Sequence, residues 1–253
     1  MLEHIKELYF DEPIPYKELL IYPVTMKDYL EFHWLVSCLL IDKNSIPDIN
    51  VISMSYLRFL YYNAANNDEP YVYMIKMLLC MVLHMDFNEE MSFYVDEKSD
   101  KAFFKVRGVA YSGSDFDEIV KIIFEQNCIT PIDNTIQKEV RDALEEAEEF
   151  KMQQTKQKMC SLEEQMICVL ISTPLKLEDI YKLTIRKFEK ILQRVDAKLH
   201  YQIYLNASMS GMVKFKDESV IQHWMNDLTK DDRYSDVKVD MDAMRNKIES
   251  VNK

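Results

Sequence analysis

The sequence predicts a mainly α, multi-helix fold in two lobes, with a small β-hairpin insert. Three observations predict it. The 253 residues contain only three glycines, Gly108, Gly113 and Gly211. Glycine alone reaches positive φ cheaply, so tight hairpins and phosphate-cradling loops lean on it and helices do not. Hydrophobic residues make up 48% and charged residues 29%, an ordinary globular balance for a chain long enough to bury a core without disulfides or metal. Helix-start signals also recur along the chain, each followed by apolar residues at helical spacing.

Residues 1–130 form the expected N-terminal lobe. Residues 1–24 hold Pro13, Pro15 and Pro23 and read as extended or irregular, with YKELLIYPV as a short edge strand. Thr25 and Asp28 make a capping-box pattern, and a helix is expected from there through KDYLEFHWLVSCLLI, apolar around most of its circumference. A second helix is expected over Ser55 to Tyr62. NNDEP opens a third, with Asn67 or Asp68 as cap and Pro70 in the first turn, where its missing N–H costs nothing. On that helix Met74, Met77, Met81 and Met85 recur at steps of three, four and four, which places them on one face. Residues 91–112 change character. SFYVDE and KAFFKVRGVAY are rich in Val, Phe and Tyr and flank a polar DEKSDK, which signals a hairpin. Ser114 with Asp117 is the expected cap of the next helix, DFDEIVKIIFEQN, completing a strand–strand–helix insert.

Thr130-Pro131 breaks the chain, and residues 131–160 read as a charged helix and a linker. Ile136, Val140, Leu144 and Ala147 supply one apolar stripe, and the acidic run Asp142 to Glu149 covers the rest. Residues 161–230 form the C-terminal helical lobe. Ser161 with Glu164 caps SLEEQMICVLIS; a short helix and a turn follow; Thr184 then caps a long helix. Ile185, Phe188, Leu192, Val195 and Leu199 share one face of the long helix, while Arg186, Lys190 and Arg194 share another. Residues 231–253 are a polar tail.

Composition narrows the function. A formal net charge of −12 repels nucleic-acid phosphates. Five scattered cysteines without CxxC spacing read as free thiols of a reducing compartment. The N-terminus is acidic where a signal peptide is basic, and the most apolar stretch, Tyr71 to Met85, is too short to span a bilayer. A cytoplasmic protein without a membrane segment is therefore expected. The five histidines show no HExxH and no i, i+4 pairing, and Cys80 with His84 supplies two ligands at most, so no metal is expected. There is no GxSxG, Walker sequence or GxGxxG, and no carboxylate pair stands apart as acid and base. Neither cofactor nor catalysis is expected. Two features could carry binding instead. The face of Met74, Met77, Met81 and Met85 is either core filling or an adaptable groove for apolar helices, because Met repacks around varied shapes. The basic stripe Arg186, Lys190, Arg194 is either a solvated face or a dock for an acidic partner, including the Asp142–Glu149 run of a second copy.

The segments YKELLIYPVTMKDYLEF (16–32), DKNSIPDINVISMSYLRFL (42–60), SDFDEIVKIIFEQN (114–127) and LTIRKFEKILQRVDAKLHYQIYLNASMSGMVKF (183–215) resemble, in order, blocks of a tailed-bacteriophage tail assembly chaperone family. The resemblance implies a non-catalytic role in the host bacterial cytoplasm: coating the helical tape measure protein until the tail tube polymerises around it. No catalytic residues come with it. Two other roles fit the same sequence. One is a structural virion component of the baseplate or connector. The other is an inhibitor of a host defence protein, against which the mixed charge signs along the chain argue.

Overall fold

The computed structural model of the chain describes residues 4–43, 46, 48–67, 70–88, 90–96, 98–132, 160–211, 215 and 221–228, with isolated positions between 142 and 150. The described residues are mainly helical and carry two small antiparallel sheets. The chain divides into two compact units, Met1–Leu192 and Gln193–Lys253. The expected charged helix and linker over 131–160 fall almost wholly outside the described residues, as does the polar tail.

The N-terminus is more regular than expected, and the edge strand expected within YKELLIYPV is present. It forms a helix, α1 (Ile5–Phe10), and a hairpin of β1 (Ile14–Tyr16) and β2 (Leu19–Ile21). Prolines do not prevent the hairpin, because an isolated two-stranded ribbon has outward edges that need no N–H from Pro15. Lys17 takes φ 52° in its two-residue turn.

The long helix expected from Thr25 is shorter and breaks at both ends. A 3-10 turn, Met26–Asp28, leads into α2 (Tyr29–Val36), and a second 3-10 turn, Ser37–Leu39, follows it. Thr25 Oγ1 donates to Asp28 Oδ2 at 3.0 Å, so the two polar side chains engage each other rather than the helix backbone. At the far end Ser37 Oγ donates to the Trp34 carbonyl and Cys38 Sγ to the Leu35 carbonyl. Such side-chain bonds compete with the i→i−4 ladder.

A short helix, α3 (Ile49–Ser53), precedes α4 (Tyr56–Asn67) and α5 (Tyr71–Val82). Pro70 is the cap residue of α5 rather than part of its first turn. The expected hairpin is a three-stranded meander, β3 (Met91–Asp96), β4 (Lys101–Val106) and β5 (Val109–Ser112), in order β3-β4-β5. The extra strand comes from Arg107-Gly108, which takes φ 48° and 86°, the double positive φ of a type I′ hairpin turn. Ala102, Phe104 and Val106 alternate onto the core face of β4. There Phe104 stacks on Tyr111 at 5.0 Å and meets Phe116 edge-on at 6.0 Å. Phe116 belongs to α6 (Gly113–Gln126), which starts two residues earlier than Ser114 would have it. Ser112 and Asp115 form its capping box. Gly113 is required there, since a Cβ would clash with the Ser55 side chain.

Ser161 and Glu164 cap α7 (Leu162–Ser172); α8 (Leu177–Lys182) follows. Thr184 opens α9 (Ile185–Met209), its Oγ1 accepting from the Lys187 N–H. Ile185 and Phe188 are fully buried, Leu192 and Val195 are half-buried, and Leu199 is exposed. The predicted apolar face therefore drives into the core only at its start.

Candidate functional site

The Met face of α5 divides in two. Met74 and Met85 are buried at 5% and 8% exposure. Met77 and Met81, one turn apart between them, are half-buried. They open into a groove of about 380 Å³ together with Cys80, His84, Met85 and Phe87. The opposite wall comes from Pro23, Val24, Thr25, Asp28 and Glu31. The volume lies in the range of ligand-sized pockets. It has room for anchoring side chains of a bound helix, not for the helix itself, whose full diameter is about 10–12 Å.

Each wall is fixed by identifiable bonds. The α5 wall ends in a left-handed cap: His84 takes φ 50°, its N–H bonds the Met81 carbonyl, and the Met85 N–H bonds the Cys80 carbonyl at 2.9 Å. This is the Schellman pattern with histidine where glycine is usual. The cap swings Met85 back under the helix and lays the His84 ring on Tyr22 at 4.0 Å. The opposite wall is pinned residue by residue. The Tyr22 N–H donates to the Val82 carbonyl at 2.7 Å, and the Met26 N–H to the Leu183 carbonyl. The Val24 carbonyl accepts from the Ile185 N–H. The buried Val24 N–H donates to Asn127 Oδ1, while Asn127 Nδ2 donates to the Ile123 carbonyl. Asn127 thus locks this wall onto the end of α6. A groove so braced is formed before any partner arrives, which lowers the ordering cost of binding.

Its chemistry is one-sided. Asp28 and Glu31 line the rim, and among the described residues no Lys or Arg does. Lys76 of α5 holds its ammonium 4.1 Å from the Phe87 ring centroid, a cation–π contact. The Tyr73 ring lies 5.7 Å from the same Phe87 ring. Further along α2, Leu30 and Trp34 are exposed one turn apart.

The basic stripe of α9 is engaged differently. Arg186 donates to the Glu125 carbonyl at 3.0 Å and reaches Cys128. Arg194 donates to the carbonyls of Trp224 and Asn226, both at 2.7 Å. Lys190 is exposed. The two guanidiniums therefore serve as backbone ties at helix and loop ends.

The spacing of the Met face was readable from one helix. The facing wall was not, because Pro23 to Glu31 lie some fifty positions away and reach α5 only through the fold. One signal was present. Glu31 interrupts a helix that is otherwise apolar on most sides.

Elsewhere the groups available for chemistry are few. All five cysteines are free, and burial pushes the Cys38 thiol up to about 12, far from a reactive thiolate. Among the described residues no cluster of three or more His, Cys, Asp or Glu could hold a metal ion, and no helix is long and apolar enough to cross a membrane.

Residues 151–229 match the family model described as the YomV second domain. The match begins ahead of α7 and runs past the end of α9, so the groove between α2 and α5 lies outside it. No curated protein and no solved structure matches the chain.

Proposed function

We propose that this chain is a non-catalytic binding protein of phage tail assembly, a chaperone that seats the apolar side chains of an amphipathic helix of the tape measure protein in the α2–α5 groove within the host cytoplasm. The observation that carries the reading is the groove itself. It exposes two methionines, Met77 and Met81, on a wall already locked in place. A helix-in-groove binder needs a preformed apolar trough and adaptable side chains at its floor, and methionine is the most adaptable of these. The match of residues 151–229 to a phage-derived family supports the phage setting. A net charge of −12 supports solubility of a complex with an apolar client.

Co-expression with the tape measure protein encoded in the same genome tests the reading. Soluble co-purification of a tape measure protein that is insoluble alone is the expected result. A tape measure protein that behaves identically with and without this chain contradicts it. Recovery of the chain in purified virions would instead favour a structural component of the particle.

A further inference from the structure

The groove carries a charge signature as well as an apolar floor, and the signature selects among helices. We infer that its occupant is a basic amphipathic helix, with Lys or Arg flanking the apolar stripe on the side that faces α2. The inference rests on the groove being a helix dock and adds the chemistry of the helix.

Three observations carry it. Asp28 and Glu31 both line the rim, on the wall opposite the methionines. A helix seated with its apolar stripe on Met77 and Met81 lays one polar flank along them. Glu31 is exposed, and no hydrogen bond or ion pair to it is found among the described residues; its charge is available. Asp28 accepts from the Thr25 hydroxyl, a neutral donor that leaves its carboxylate charge uncompensated. The cation on the α5 side, Lys76, lies over Phe87 and does not line the groove. Carboxylates at a rim attract and orient a basic flank and repel an acidic one, so they set partner choice more than affinity. The net charge of −12 acts in the same direction at longer range.

The discriminating experiment uses the full chain and two synthetic amphipathic helices. Both carry the same Leu stripe at i, i+3, i+4 and i+7; one is flanked by Lys, the other by Glu. Binding is followed by titration calorimetry with the wild type, Glu31→Lys and Glu31→Gln, after circular dichroism melts show the variants folded. The Lys-flanked peptide binds at least about tenfold tighter, a difference of about 1.4 kcal/mol. That preference drops severalfold in Glu31→Gln, further in Glu31→Lys, and shrinks as salt shortens the Debye length from about 30 Å at 0.01 M to about 10 Å at 0.1 M. Equal binding of both peptides overturns the charge inference and leaves the groove reading standing. A Lys preference untouched by either Glu31 variant also overturns it, since the total charge of the chain, not the rim, then sets the preference. Binding of neither peptide overturns the groove reading and this inference together.

Discussion

The methionine face of α5 and the basic face of α9 look alike in the sequence. Each is a run of same-type side chains at helical spacing, and each could be a docking surface or plain structure. The structure separates them by what their side chains already touch. Arg186 and Arg194 have given their donors to backbone carbonyls. Met74 and Met85 have given their surface to the core. Met77 and Met81 retain open surface over a braced groove. A periodic stripe thus locates a face but does not say whether its interactions are still available. Burial and hydrogen bonding decide that.

The largest effect comes from splitting the methionines. Met74→Asp buries an unpaired carboxylate and is expected to cost about 3–5 kcal/mol, enough to unfold much of the protein by denaturant titration. Met77→Asp with Met81→Asp is expected to cost less than about 2 kcal/mol, leaving a folded protein that no longer retains its partner. If both sets unfold the chain equally, the α5 face is core throughout and the distinction fails.

Next in size is Asn127→Ala. It strands the buried Val24 N–H, at an expected cost of about 1–3 kcal/mol, and loosens the wall opposite the methionines. Partner affinity should fall although no lining residue has changed; unaltered affinity in a folded variant would show that the wall needs no such brace.

The basic stripe divides the same way at smaller scale. Arg186→Gln is expected to lower stability by about 1–2 kcal/mol, because the Glu125 carbonyl loses a charged donor. Lys190→Gln, at an exposed position, should cost less than Arg186→Gln because surface charge interactions are screened by solvent. Partner affinity in pull-down should follow neither change.

The carboxylates give the smallest and most specific contrast. Burial raises the pKa of Asp115, but Lys17, Ser112 and Tyr16 together overcome this and hold it well below the ordinary carboxylate value. Its folded pKa lies below its unfolded one, so its stabilisation is present above the unfolded value and is lost as pH falls toward the folded value. The stability difference between wild type and Asp115→Asn should therefore be full at pH 7 and shrink progressively under acid. Glu31→Gln, at an exposed position, should leave the thermal melt at pH 7 close to that of wild type.

These contrasts also mark what the sequence could tell. The mainly helical class was legible from three glycines and repeated caps, and the Ser161–Glu164 and Thr184 caps stand where the spacing puts them. The argument from glycine was too strict in one respect. Asp11, Lys17, His84, Asp100, Arg107 and Cys128 all take positive φ without being glycine. They close helices and turns that a glycine-poor chain would otherwise lack. That is why the turns at Lys17 and Arg107-Gly108 were not anticipated: β2 lies in the expected edge strand YKELLIYPV and β5 in the expected strand segment KAFFKVRGVAY, but the pairing of β2 with β1 and the break between β4 and β5 were missed. The start of α6 slipped by two residues because SGSD offers two serines, each with an aspartate three positions on. The reciprocal bonds between Ser112 and Asp115 show which one caps. The groove was half legible. Its methionine wall follows from local periodicity, whereas the Asp28–Glu31 wall depends on long-range bonds through Asn127, Val82 and Leu183, which no local pattern encodes.

The central claim is that Met77 and Met81 contact a bound helix. Labelling the methionine methyl groups with ¹³C and titrating with a helical segment of the tape measure protein tests this directly, since each methyl reports its own surroundings. The Met77 and Met81 signals should shift together with Met85, while those of Met54 and Met91, which do not line the groove, stay in place. Shifts confined to other methionines, or none at saturating peptide, would contradict it.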